Sequence, residues 1–364
     1  MPTKDEILQA LTRVKDPEIG RSIVELGMVK DITIDNGNVD VTIALTVEGC
    51  PLQGSIGADV RDAVRSIPGI NTVTVNLTVM TKEELEALTA RLRGPKPESP
   101  LLEEDSPTRV IAVASGKGGV GKSTVTVNLA IALARRGAAV GLLDADILGF
   151  SVPRLMGLLG EHPTVLNETL LPIVQFGVKV MSMGFFLESE DQPVIWRAPL
   201  LRKYFEQMIT DVHWGELDYL LLDLPPGTGD MTLNVVQLIP RSEMLIVTTP
   251  QEAASHVALR AGAMAFRAGM GVLGVVENMS YFRCPHCGEV SYLFGRGGGD
   301  MVAASLSVPV LGRIPMTEAI QRGSDEGAPV MAVAPQDDAA KAFADLAAAV
   351  VDAQPVRPQP TAAE

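Results

Sequence analysis

One stretch limits what this chain can fold into more than any other: residues 109–124, RVIAVASGKGGVGKST. It opens with an apolar, β-branched run, Val110 to Val113, that reads as a buried strand. It then breaks into Gly116, Lys117, Gly118, Gly119, Val120, Gly121, Lys122 and Ser123, which fits G-x-x-x-x-G-K-[ST]. Residues 122–136 have helix-forming composition, and Gly137 is placed to stop that helix. Strand, glycine loop and helix in this order make an anion nest, because backbone N–H groups turn inward and the helix adds its positive end. The expected occupant is the phosphate chain of a nucleotide on residues 116–124. Lys122 is expected to reach the β- and γ-phosphates, and the Ser123 hydroxyl to sit on Mg²⁺, with Thr124 next to it. A plain glycine-rich turn explains the loop residues but not the strand and helix that frame them.

The remainder of the chain agrees with a globular protein of two domains. It has 364 residues, 46% of them hydrophobic and 20% charged. The formal net charge of −14 argues against broad electrostatic binding to nucleic acid or to an anionic membrane. No apolar run of membrane-spanning length and no signal-like apolar stretch near the start are seen, so a cytoplasmic protein is expected. Three cysteines, two of them in one CxxC, suit metal or redox work rather than a disulfide framework.

Residues 1–92 read as a small α+β domain. A helix over about 4–14 is followed by a strand ending at Asn36-Gly37, a return strand over 39–47, a helix opened by Cys50-Pro51, a strand over 72–80 and a charged helix over 82–92. Residues 93–108 are rich in proline and acidic side chains and read as a linker. From 109 to about 350, apolar runs at 110–115, 139–143, 178–183, 218–223, 243–248, 271–276 and 309–313 alternate with helical stretches. That alternation predicts a doubly wound, mostly parallel α/β sheet, with ligands at the carboxyl ends of its strands. The proline-rich end, 351–364, is expected to be disordered.

Every remaining motif falls at such a strand end. Asp144 and Asp146 follow one strand and suit Mg²⁺ or an attacking water, although Asp144 also fits a turn cap. Asp223 ends another and reads as the carboxylate that supports Mg²⁺, with Gly227 in the loop beyond it near the γ-phosphate. Asn278 follows a third; its amide suits the edge of adenine, or a turn. Cys284 and Cys287 make a CxxC that leaves three readings open. Zinc needs four ligands, a thioredoxin-like pair should begin a helix, and a two-fold dimer would gather four thiolates at one shared site. Spacing alone leaves zinc and a 4Fe–4S cluster both open for that shared site.

Taken together, GKGGVGKST, DADILGFSVPRLMG, LLLDLPPGTGD, ENMSYFRCPHCG, FGRGGG and GRIP resemble the Mrp/ApbC-type ATPases, which carry the deviant Walker A loop of the MinD/ParA class. DPEIGRSIVELGMVKDI with GCP resembles the small iron–sulfur assembly-related domain found upstream of such ATPases. The resemblance implies an ATPase that works as a homodimer, binds a 4Fe–4S cluster between two copies and passes it to apo-proteins, in company with scaffold proteins. By the same resemblance Lys117 reaches across the dimer to the partner's nucleotide, Asp146 positions the water, Asn278 reads adenine, and Cys284 and Cys287 hold the cluster. Cys50 is a candidate contact for the cluster, or a small buried apolar group. Two departures are visible: Phe150 stands where the family usually has proline, and Val257-Ala258-Leu259 replaces a polar Asp-x-Arg or Asp-x-Lys. A positioning ATPase of the ParA/MinD type without a metal, and a zinc-bridged dimer with a regulatory ATP site, are the competing readings.

Overall fold

The computed structural model describes residues 2–357 apart from 18, 47–52, 82–83, 86–87, 89–99, 104, 148, 167–168, 188–197 and 228. Cys50, most of the helix expected over 82–92 and the first part of the expected linker lie outside the described residues. The chain forms two compact units. The first comprises Met1–Glu98, Thr164–Pro172 and Asp211–Gly215; the second comprises Ser99–Pro163, Ile173–Thr210 and Glu216–Glu364.

The first unit is built on a three-stranded sheet and includes the helices Lys4–Leu11 and Gln53–Arg65. Strands β1 (Val29–Asp35) and β2 (Asn38–Leu45) form an antiparallel hairpin, and β3 (Thr72–Val79) runs parallel to β2. The hairpin turns on Asn36 and Gly37, both at positive φ, as that dipeptide predicts. Ile7, Leu11, Val41, Ile43, Val60 and Val64 fill the core, joined by Leu166 and Leu171 from a far part of the chain.

The second unit holds an eight-stranded sheet. Its strands are β4 (Arg109–Ser115), β5 (Val140–Asp144), β8 (Ile173–Gln175), β9 (Val178–Ser182), β10 (Tyr219–Asp223), β11 (Glu243–Thr248), β12 (Gly271–Glu277) and β15 (Val310–Arg313). The order is β15-β12-β11-β4-β10-β5-β9-β8, parallel throughout except for the β8 edge. β6 (Thr164–Leu166) and β7 (Thr169–Leu171) pair with each other, Leu170 also bridges Val212, and both strands belong to the first unit. The apolar run of β5 is buried throughout, and those of β4 and β10 throughout except at their first residues, as a sheet covered on both faces requires. The helix Lys122–Arg135 packs its apolar side into the core, and Gly137 follows at φ 92.

Two sequence expectations need correction. Residues 100–108 are not free linker: Leu101 is buried, and the Arg241 guanidinium donates to the carbonyls of Leu101, Glu103 and Thr108. Nor is the start of the tail disordered. The helix Asp338–Asp352 runs through the expected boundary, and Val356 exchanges two backbone hydrogen bonds with Val272. Proline content suggested disorder, but Gly271 leaves the room in which Pro355 lies; a Cβ there would come within 2.9 Å of its ring. Residues 358–364 lie outside the described residues.

Candidate functional site

The sheet order places β4 at the centre, with β10 beside it and β5 next. Parallel register aligns Asp223 with Val113 on one side and with Asp144 on the other. The glycine loop leaves β4 directly above these two carboxylates. A cavity of about 340 Å³ opens there, lined by Lys117, Lys122, Ser123, Asp146, Ser151 and Pro226 among others.

The loop's shape depends on its glycines. Gly119 and Gly121 have φ of 79 and 78, where a side chain is strained. Gly116 is extreme in another way: a Cβ on it would stand 2.3 Å from the backbone of Val257 and Ala258. The helix Glu252–Arg267 therefore presses main chain against main chain at the very position where the polar family residues are missing. Gly121 is the N-cap of the following helix, with no side-chain cap and no acidic residue in its first turn. The first N–H groups of that helix face the cavity without a competing anion, the arrangement a phosphate needs.

Lys122 and Asp223 are both buried, and their Nζ and Oδ2 lie 2.7 Å apart. Ser123 donates to the same oxygen at 2.6 Å, and Thr126 donates to Oδ1 at 2.7 Å. Asp223 thus gathers the lysine and the Ser123 hydroxyl expected to contact nucleotide and metal, and is fixed from behind by the buried Thr126 hydroxyl. Thr126 was not singled out from the sequence, although it stands one turn beyond Lys122 on the same helix face. Asp144 is enclosed. It accepts from the N–H groups of Asp146, Ser151 and Val152 and from the Ser182 hydroxyl, at 3.1–3.2 Å. Burial, then the charge of Asp223, pushes its carboxyl up to about 7. Of the two roles open to it, this geometry is that of a cap fastening the loop 145–152. Asp146 lines the cavity half-buried and accepts from the Gly149 N–H in its own turn, and its carboxyl is pushed up mainly by burial. Phe150 packs on Gly184, which explains how an aromatic ring is accommodated there.

Gly227, at φ 96, donates its N–H to Ser115 and so brings the Pro225-Pro226 turn against the loop; Thr228 lies outside the described residues. Asn278 is buried beneath the loop, and its amide donates to the Val120 carbonyl at 2.8 Å. The neighbouring Glu277 accepts from Ser280 at 2.6 Å and from the Gly299 N–H at 2.7 Å, at the start of the helix Gly298–Leu306. This accounts for the triple glycine: a Cβ on Gly299 would strike Glu277, and one on Gly298 would strike Pro250 and Ser255.

Cys284 and Cys287 occupy the turn of a hairpin made by β13 (Phe282–Arg283) and β14 (Val290–Ser291). Cys284 is half-buried and Cys287 exposed. The backbone N–H of Cys287, then that of His286, holds the Cys284 thiol below its ordinary range, which favours the thiolate that metals bind. No helix begins here, so the thioredoxin-like arrangement is absent. Among the described residues no group of three or more His, Cys, Asp or Glu is gathered to hold a metal ion.

A phosphate nest framed by β4 and a helix, with a buried acid on the adjacent parallel strand, defines a P-loop NTPase. Comparison with known proteins places it further. Residues 106–351 match the ParA family described as NUBPL iron-transfer P-loop NTPase, and residues 4–77 match the iron–sulfur cluster assembly protein family. The chain belongs to the iron-transfer P-loop NTPases. It is 49% identical over 337 residues to an iron–sulfur cluster carrier protein of Mycobacterium leprae, covering 90% of this chain and 87% of the relative. A protein of the same description from Bacillus subtilis is 47% identical, covering 87% and 89%. A nucleotide-binding protein of Archaeoglobus fulgidus, solved with ADP and cobalt, superposes with a TM-score of 0.56 at 42% identity, covering 64% of this chain and 92% of that one. Among the described residues no helix is long and apolar enough to cross a membrane.

Proposed function

We propose that this chain is an ATP-hydrolysing carrier of 4Fe–4S clusters that works as a homodimer in the cytoplasm and delivers its cargo to apo-proteins. The observation that carries the reading is the cysteine hairpin. Two thiols, one inclined to ionise, are presented at the surface without further ligands from the same chain among the described residues. A two-fold axis beside the hairpin completes a four-thiolate site, and ligands shared across an interface release their cargo when the two copies separate.

ATP binds with its phosphates on residues 116–124. Lys122 then exchanges Asp223 for the β- and γ-phosphates, a gain because the incoming anion carries more charge than one carboxylate. The oxygen donors left at Ser123 and Asp223 suit Mg²⁺, which would neutralise phosphate charge there. Asp146 orients the water, Gly227, its N–H held by Ser115, keeps the Pro225-Pro226 turn beside the γ-phosphate, and Asn278 supports the loop from beneath through Val120. Lys117 supplies positive charge to the nucleotide of the partner subunit. The −14 net charge and the cysteine pair weigh against a DNA- or membrane-positioning role.

Anaerobic reconstitution with iron and sulfide tests the reading, with the Cys284→Ala/Cys287→Ala protein alongside. About four iron atoms per dimer, absent from the double variant, are expected. Equal iron in both proteins, or zinc without iron in the unaltered one, would overturn it.

A further inference from the structure

The geometry points to Asn278 as a positioning residue that ties the nucleotide loop to the cysteine hairpin, so that nucleotide on the loop alters the reactivity of Cys284 and Cys287. This rests on the reading above that loop and hairpin serve one reaction. An asparagine at a strand end ordinarily caps its own turn, bonding two or three residues away. Asn278 does otherwise. Its amide crosses to Val120, 158 residues distant in sequence, while its own N–H is fixed to the Thr248 carbonyl. The fit to the loop is close, since a Cβ on Gly121 would lie 2.2 Å from Asn278 Nδ2. Any turn of the Val120–Gly121 peptide when phosphates bind would oblige Asn278 to follow or let go.

What lies between Asn278 and the thiols has little slack. Met279 stands at φ 55, a left-handed conformation that strains a residue bearing a side chain. It turns the chain off β12 and is braced by the Ser280–Glu277–Gly299 bonds. Beyond the corner, Ser280 donates to Ile314 and Met316 donates to Tyr281, at 2.9 and 2.8 Å, and Phe282 pairs with Met316. Phe282 and Arg283 are already β13, and the N–H of Cys284 closes on Glu289. A displacement at Asn278 would be carried by this pinned strand to a thiol six residues on; the structure shows the Val120 bond held, and its release is the second arrangement the coupling requires.

The test uses full-length protein without iron. Maleimide alkylation is followed at each cysteine by peptide mass spectrometry, with and without ADP at a concentration shown by titration to saturate each protein. The unaltered chain is expected to change its rate at Cys284 or Cys287 by on the order of fivefold, the low end of ordinary coupling between sites. Asn278→Asp keeps the shape but cannot donate to Val120, and its ADP-dependent ratio is expected to fall to about one. Met279→Gly relaxes the corner without touching that bond, and the ratio is expected to fall while the fold is retained. An unaltered protein whose thiols ignore ADP, or variants that keep the full ratio, would overturn the proposal. Because no cluster is present, a failure here is separate from a failure to bind iron.

Discussion

Four glycines of one loop allow the same small change, Gly→Ala, to be followed through four different environments. At Gly118 nothing lies within 4 Å of an added Cβ and φ is ordinary, so alanine is expected to be neutral or to stabilise by a few tenths of a kcal/mol through the unfolded chain. Gly119 has equal room but φ of 79, so the left-handed penalty of about 1–2 kcal/mol applies alone. Gly121 adds to that penalty the displacement of the Asn278 amide, a buried hydrogen bond whose loss costs a further 1–3 kcal/mol or so, about 2–5 in all. Gly116 meets backbone at 2.3 Å on two atoms, and backbone of a packed helix cannot rotate aside as a side chain can. The helix must shift by about 1 Å, at a cost at or above the roughly 1–3 kcal/mol of overpacking. Urea denaturation of nucleotide-free protein, followed by tryptophan fluorescence and by far-UV circular dichroism, should rank 118 as mildest, then 119, with 121 and 116 most damaging. If Gly118→Ala were as destabilising as Gly116→Ala, the argument from local space would be refuted.

Other expectations follow from single contacts. Asp144 is protonated more readily in the fold than the ordinary 3.8, so the unfolded chain gives up its proton first; stability is lost as pH rises from about 4 towards 7, by about 4 kcal/mol in total. Asp144→Asn should be weaker overall, having lost acceptors, yet flatter across that window, and urea midpoints that run parallel to the unaltered protein would contradict this. Arg241→Ala should free residues 100–108 and leave three carbonyls without their donor, read as faster proteolysis in that segment and a loss of about 1–3 kcal/mol. Removal of residues 353–364 strips the Val356–Val272 pairing and the Arg109–Ala353 bond, and should lower the melting temperature while nucleotide binding persists.

What could be read in the sequence was whatever is written locally. The loop, its two framing elements and the apolar strands of the sheet each lie within one short window, and their positions in the structure differ from expectation by a residue or two. The candidate carboxylates were legible for the same reason, since a strand end is a local event. Contacts made at long range were not. Nothing near Lys122 says that in this structure its ammonium rests on Asp223, and nothing near Asn278 says that its amide supports Val120. The three-residue strands β6 and β7 carry too few side chains to show a period, and Leu170 meets Asp211 and His213, about forty positions away. The proline-rich end misled because composition reports the freedom of a chain, whereas a docking groove such as the one left open by Gly271 belongs to another part of the molecule.

The make-up of the first unit bears on how the protein is born. A nascent chain leaves the ribosome from its N-terminus, and the three-stranded sheet is fully synthesised once β3 has emerged. Its core is not, for Leu166 and Leu171 are still unmade, as is His213, whose ring meets the Ile19 carbonyl. At 5–20 residues per second the missing pieces arrive roughly 5–25 s later. During that interval the emerging sheet has an uncovered apolar seam, while the glycine loop and its sheet are being translated in between. The two units therefore mature together rather than one after the other, and a gene cut at residue 92 or 108 would divide a single folding event.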